Sequence, residues 1–420
     1  MKKTSFILFI LFFILPFCVF ADDFSSNYLW EDDPFMETRG MFRVKDRSFE
    51  IGLGHVNAGF SNDFLTVSQI FRRTLVIDLD ELSTGFNMNL GIYATPFYFD
   101  FNYRNNWGFG FSANAQAFGV LGLSGKMLSL QEADGDVSDA SAAMFAEAGL
   151  NGFFTLQKFK LKVRPAVFYT LAYVKPDISY TYTNTELGTV MYIGYNLQLY
   201  SELPFFYFSS LPDNASFSTS PGVDISLGVE YPLARAIGIT NLFPFLDFDV
   251  GLDFINIPLA PSKMVNYIEL AGHIGTTDPI QITDDLNDFI SSFNPDHDVY
   301  YREGEKEVMR PFKMLAWADW RLLGNQLLTL TPTVGFAVNP LYVQPVSLEA
   351  GLKARLDLAN LLILTAGVNF EDRLWKNSLN MAFNCRAFEI NIGADMRSPD
   401  FAKSWTGGGF GVNVGLKLGW

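Results

Sequence analysis

The C-terminal stretch of the chain sets the strongest constraint on its fold. Phe410, Val412, Val414, Leu416, Leu418 and Trp420 alternate with Gly411, Asn413, Gly415, Lys417 and Gly419. A period of two puts every apolar residue on one face of a strand and every polar or small one on the other. The same alternation recurs over 346–357 and 328–339, and again within Leu246–Phe254, Ile225–Tyr231, Met191–Leu199, Trp107–Ala117 and Phe86–Ala94. Many strands with one apolar face form either a soluble sandwich or a barrel whose apolar side meets lipid. Length favours the second. These segments match the roughly 9 to 11 residues of a tilted membrane-crossing strand, whereas globular strands cluster near 5 to 6. Trp107, Tyr231, Tyr93, Trp320 and Trp420 are placed at or near strand ends, as an aromatic girdle requires.

The N-terminus is consistent with that reading. Lys2 and Lys3 precede an apolar run over Phe6–Phe20, and Val19-Phe20-Ala21 precedes Asp22, which predicts a signal peptide over 1–21 cleaved after Ala21. The run is shorter than the roughly 20 residues of a spanning helix. Residues 22–47 are expected as an N-terminal periplasmic or lumen segment, and 48–420 as the barrel. Cleavage leaves Cys385 as the one cysteine, so no intrachain disulfide can form.

Composition closes other routes. Two cysteines and three histidines, His55, His273 and His297, leave little for a metal centre. A net charge of -15 opposes binding of nucleic acid. Nucleophile elbow, phosphate loop and paired-glutamate spacings do not occur, so neither an enzyme nor a cofactor is expected. The spacing of Asp134, Asp136 and Asp139 lacks the later bidentate Glu of a calcium loop.

The final strand, ending in Trp420, resembles the membrane-insertion signal of Gram-negative outer-membrane proteins. Patches such as Asn105-Asn106-Trp107-Gly108-Phe109-Gly110-Phe111 and Gly228-Val229-Glu230-Tyr231-Pro232-Leu233 resemble outer-membrane barrels of spirochaetes, sometimes grouped with FadL-like transporters. The resemblance implies an outer-membrane barrel in contact with outer-membrane lipid, the barrel-assembly machinery, and small solutes or lipids. It carries no ligand-binding residue across.

Counting backwards from Trp420 predicts an all-β, transmembrane antiparallel barrel of about 16 strands, with 14 to 18 allowed. The range is open because 62–82 reads equally as a strand or as a short helical lumen plug capped at Asn62 or Ser61. Short turns are expected at 105–106, 157–158, 324–326 and 358–360 on one side. Long connections are expected at 119–143, 203–221, 257–311, 371–377 and 396–407 on the other. The longest, 257–311, is expected as an extracellular loop with a short helix through Leu286, Phe289, Ile290 and Phe293.

Asp247, Asp249 and Asp253 share one strand face, and Lys353 and Arg355 share another; these are the expected lumen-lining charges. Lys160, Lys162 and Arg164 form a basic stripe, set either across the pore from the acids or paired with neighbouring strands. The leading functional expectation is a porin-like channel for solutes. Its alternatives are a plugged FadL-like conduit for hydrophobic molecules, suggested by 42 Phe, and a structural or adhesive barrel displaying its long loop.

Overall fold

The computed structural model describes residues 49–62, 86–103, 106–123, 134–136, 139–185, 188–201, 218–243, 245–276, 293–322, 327–340, 345–358, 361–371, 373–385 and 387–419. The signal peptide with Ala21, the 22–47 segment, most of the 62–82 stretch, Leu286, Phe289, Ile290 and Trp420 lie outside them.

The alternating segments become strands: β1 (Phe49–Asn62), β2 (Phe86–Tyr103), β3 (Trp107–Leu123), β4 (Asp134–Asp136), β5 (Asp139–Leu156), β6 (Phe159–Thr185), β7 (Gly188–Ser201), β8 (Ser218–Ser220), β9 (Gly222–Tyr231), β10 (Asp247–Ala260), β11 (Ser262–Thr276), β12 (Phe293–Val308), β13 (Phe312–Arg321), β14 (Leu328–Val338), β15 (Val346–Leu358), β16 (Leu362–Glu371), β17 (Leu374–Asn384), β18 (Phe388–Ser398) and β19 (Gly409–Gly419). All belong to one antiparallel sheet, and fourteen of them close into a barrel. Around the wall the order is β1-β2-β3-β5-β6-β9-β10-β13-β14-β15-β16-β17-β18-β19. The ring seals where β1 meets β19, with Ile51 opposite Leu418, Val56 opposite Val414 and Phe60 opposite Phe410.

Fourteen is the low end of the expected range: Met191–Leu199, patterned like a wall strand, lies in β7, which pairs with the upper part of β6 and with β11 instead of joining the ring. Residues 257–311, expected as a loop with a helix, are largely strand. β10 runs into β11 and β12 into β13, so two barrel neighbours continue as one long hairpin in which β11 pairs with β12 beyond the barrel. Phe293 opens β12 rather than sitting on a helix. β6 does the same: Lys160–Phe168 pairs with β9 in the wall, and Ala172–Thr185 pairs with β7 above it. The upper part of β6 with β7, β11 and β12 forms a wing standing on the rim opposite the end of β19. At about 3.3 Å per residue, Ala172–Thr185 reaches on the order of 45 Å. Its outer edge, β12, carries Arg302, Glu303, Glu305, Lys306 and Glu307, a charged edge that resists further strand pairing.

Strand direction places five short connections at the C-terminal rim: Tyr103 to Trp107, Leu156 to Phe159, Arg321 to Leu328, Leu358 to Leu362 and Asn384 to Phe388. One longer connection joins them, holding helix α1 (Leu233–Ala236) and a 3-10 turn at Ile239–Asn241. At the opposite rim, 371–377 is a tight turn rather than a loop, with Glu371 paired to Leu374 and Arg373 at φ 62°. Helix α2 (Phe401–Thr406) forms within 396–407. Asp400 caps it by accepting from the Lys403 backbone at 2.8 Å, and Gly407 ends it at φ 83°, a left-handed cap that suits glycine.

The sidedness is the reverse of a water-soluble sheet protein. Along β19, Val412 and Val414 are about half exposed on the outside while Asn413 is buried inside. Along β18, Ile390 and Ile392 point out, and Glu389, Asn391 and Asp395 point in. An apolar belt of Leu150, Val334, Leu348, Leu379 and their neighbours would be costly in water and is matched by lipid. No helix among the described residues is long and apolar enough to cross a membrane, so any crossing is made by the strands. Trp107, Tyr231 and Trp320 lie at the C-terminal rim, where Phe159 stacks on Tyr231 with ring centres 4.6 Å apart. Tyr93 is a correction: β2 runs on to Tyr103, so Tyr93 lies well inside the strand, with its side chain buried on the inner face.

Candidate functional site: the lumen and its aromatic mouth

Every other residue of each wall strand points inward, so the sequence writes the lumen as a stack of layers. Nearest the C-terminal rim the layer is ionic. Asp247 meets Arg235 of α1 at 3.0 Å and Arg321 of β13 at 3.2 Å; Asp249 contacts the same two arginines. Lys162 pairs with Glu230 at 3.4 Å, Arg355 with Asp357 at 3.2 Å, and Lys417 with Glu50 at 3.1 Å. Lys160 sits 4.5 Å from the centre of the Phe153 ring.

Higher up, Asp253 is fully buried and accepts a hydrogen bond from the Trp317 indole at 2.9 Å. At about mid-height four charged groups, three from different strands and Arg310 from a break between strands, meet. Glu147 of β5 accepts from Asn114, from Arg164 of β6 and from Arg310. Arg310 reaches across to Asp224 of β9 with two bonds, 2.8 Å from Nε and 2.9 Å from Nη2, a bidentate fork that only guanidinium geometry supplies. Bond geometry at the backbone aims this arginine. Arg310 lies in the short break between β12 and β13, and Asn256 bulges from β10 at φ 54°, a conformation asparagine tolerates. The Asn256 amide donates to the Pro311 carbonyl at 3.1 Å and its oxygen accepts from Arg310 at 3.0 Å. A second network, Lys313 with Glu371 at 2.9 Å and Glu349 at 3.9 Å, and Lys376 with Glu371 at 3.7 Å, fills the far side.

Directly above, the chemistry changes. Phe118, Phe145, Phe168, Tyr173, Tyr200, Met264 and Val308 form a buried cluster under the wing. Phe145 lies 6.2 Å from Phe118 and 6.1 Å, edge-on, from Phe168; Tyr200 lies 6.2 Å from Tyr173 and 5.0 Å from Tyr267. The Arg310 guanidinium sits 5.3 Å from the Phe168 ring, so one side chain joins the ionic layer to the aromatic one.

The residues singled out from sequence are therefore not one cluster. Asp247 and Asp249 belong to the rim, each compensated by two arginines; Asp253 is higher; Lys353 is buried on β15 and Arg355 pairs along its own strand. Two residues of the basic stripe, Lys162 and Arg164, pair with neighbouring strands. Sequence reading passed over Arg310, Asp224, Glu147 and the aromatic cluster. A signal is present: on β3 the inward row Ser112, Asn114, Gln116 ends in Phe118, and on β5 inward Phe145 precedes Glu147. Large rings at polar-parity positions on adjacent strands mark a change of layer. Among the described residues no group of three or more His, Cys, Asp or Glu is arranged to hold a metal ion.

No family model matches the chain, and no curated protein matches it. Solved structures with a comparable outline include the Pseudomonas putida toluene transporter TodX, at 8% identity and TM-score 0.46 over 96% of this chain and 94% of that one. A Pseudomonas aeruginosa FadL homologue aligns at 8% identity and TM-score 0.45, covering 89% and 90%. The translocator domain of the autotransporter NalP from Neisseria meningitidis aligns at 9% identity and TM-score 0.33, covering 91% of each chain.

Proposed function

We propose that this chain is an outer-membrane barrel, not an enzyme, that takes up hydrophobic molecules at its wing-bearing mouth, with the short-turn rim on the periplasmic side. The observation that carries this is the layering. An aromatic cluster lines the inside of the mouth, and beneath it Glu147, Arg164, Arg310 and Asp224 are buried and paired with one another. In an open porin, lumen charges face a water column and select ions. Here they are buried and paired with one another, so these four do not line a water column. An apolar solute gains from entering the ring cluster by leaving water, at about 25 cal/mol per Å² of apolar surface buried. Passage beyond it requires the Arg310 layer to part.

The porin-like expectation is thus the weaker of the two transport readings. Planar-bilayer recording and uptake separate them. The purified protein should accelerate transfer of a labelled long-chain hydrophobic probe into vesicles while giving no stable ion conductance in KCl. Phe145→Asp should abolish the probe transfer. Sustained conductance steps with unchanged probe transfer would reinstate the water-filled pore.

A further inference from the structure

We propose that the lumen-side face of the wing is a binding site for an uncharged saccharide. The wing is two-faced. Tyr173, Lys175, Asp177 and Ser179 of β6 alternate with Val174, Pro176 and Ile178, and the register carries this across: Asp177 lies opposite Asn196, and Asn196 opposite Ala271. Since Tyr173 joins the cluster in the mouth, the polar face continues the inner wall upward.

That face holds a shallow, open cleft. Its volume is about 550 Å³, and Tyr195 lines it together with Asp177, Ser179, Asn196 and the small residues Gly194, Ala271 and Gly272. On the same face above it, Tyr192 stacks on His273, with ring centres 5.0 Å apart and planes inclined by 21°, and about half of the Tyr192 ring is exposed. Below it a hydrogen-bonded row fixes the polar groups. Asn196 donates to Glu269 at 3.0 Å, Arg302 donates to Glu269 at 2.6 Å, and Arg302 lies over the Tyr300 ring at 4.7 Å. The hydrogen bond from Arg302 holds the Glu269 carboxyl below its ordinary pKa, so it stays an acceptor.

The chemistry selects the ligand class. An apolar molecule would leave Asp177, Ser179 and Asn196 without water, and an ion of either sign would meet like charges on this face, Asp177 and Asp298 or Lys175 and Arg302. A polyhydroxylated ring supplies both donors and acceptors to carboxylate, amide and hydroxyl groups, and its C–H face can lie on an exposed tyrosine. Small residues leave room for it: a Cβ on Gly194 would already come within 3.2 Å of the Ser179 hydroxyl and 3.6 Å of the Tyr192 ring.

This site is independent of the transport reading. The test is saturation-transfer NMR and calorimetry on the full folded chain in a zwitterionic detergent free of sugar headgroups. The probes are maltohexaose, chitotetraose and a galacto-oligosaccharide, with choline as the cationic control. At least one saccharide should bind, and both Gly194→Trp, which fills the cleft, and Tyr192→Ala, which removes the platform, should weaken it about tenfold, a difference of about 1.4 kcal/mol. Heat-modifiable gel mobility confirms that the variants keep the barrel. Absence of binding by all three saccharides at millimolar concentration, equal binding by Gly194→Trp, or binding of choline alone would each overturn the proposal.

Discussion

Two arginine–carboxylate pairs in this molecule have similar bond lengths and opposite surroundings. Arg310 holds Asp224 at 2.8 Å in the barrel, with side-chain exposures of 0% and 2%; Arg302 holds Glu269 at 2.6 Å on the wing, at 49% and 17%. Bond length alone would rank them equal. In the barrel both partners have lost water, so each depends on the other and on Asn256 and Glu147; on the wing, solvent screens the charges and replaces whichever partner is removed. The comparison teaches that the lumen network sets which chain conformation is closed, whereas the wing's polar row is free to be remade around a ligand.

The strongest way to break that contrast is Glu147→Ala. It leaves the buried Arg164 without a carboxylate, takes one of two from Arg310, and should destabilise the folded barrel by about 3–5 kcal/mol, the usual result of removing one partner of a buried pair. Urea unfolding in lipid vesicles measures it; a loss no larger than that of a wing variant would erase the distinction. Ile392→Arg tests the outer face of the same wall. Near the middle of β18 it should cost about 2–4 kcal/mol, while Phe248→Arg, one residue inside the start of β10, should fall toward zero as at an interface. Gly251→Leu probes packing without charge. A Cβ there would stand 2.1 Å from the Trp317 ring, so the indole must leave Asp253, with an expected cost of about 1–3 kcal/mol from overpacking. Smallest is Glu269→Gln on the wing, for which the unfolding midpoint should be indistinguishable from that of the unaltered chain. A clear shift there would mean that the wing is held by the same kind of dry network as the barrel.

Period-two patterning made the barrel legible because a wall strand has only two environments, and the sequence alternates between them residue by residue. It located the turns at 157–158 and 358–360 for the same reason. It fails where an environment changes along a strand across a bulge that the pattern does not announce. β6 and the β10–β11 run resume alternation beyond the irregularities at Leu171 and Asn256 as they leave the wall, so nothing in Ile268 or Leu197 distinguishes a wing from a membrane strand, and length alone makes 257–311 look like a loop. The charges Asp247, Asp249, Asp253, Lys353 and Arg355 were recognisable as inward positions. The partners of the three aspartates were not: Arg321 and Trp317 lie on β13 at positions fixed only by register, and Arg235 comes from α1. Arg310 was hidden most completely: it belongs to no strand, and its place depends on the single left-handed residue Asn256.

The seam between β1 and β19 bears on the order of folding. Glu50 and Lys417, separated by 367 positions, are joined there at 3.1 Å, and Asn62 reaches the Gly408 carbonyl across 346 positions at 2.7 Å. Bringing such distant segments together carries a loop-closure cost that grows as about 1.5RT ln n, and contacts of this separation form slowly. Every other wall pair can zip from a nearby turn or hairpin, so the seam is the last to form. Until then β1 and β19 each present a free edge with an apolar flank, the arrangement most prone to pairing with another chain. The interval before sealing is therefore the stage of this protein's life most exposed to aggregation, and changes that weaken the seam should show first as loss of yield rather than as loss of stability in the finished barrel.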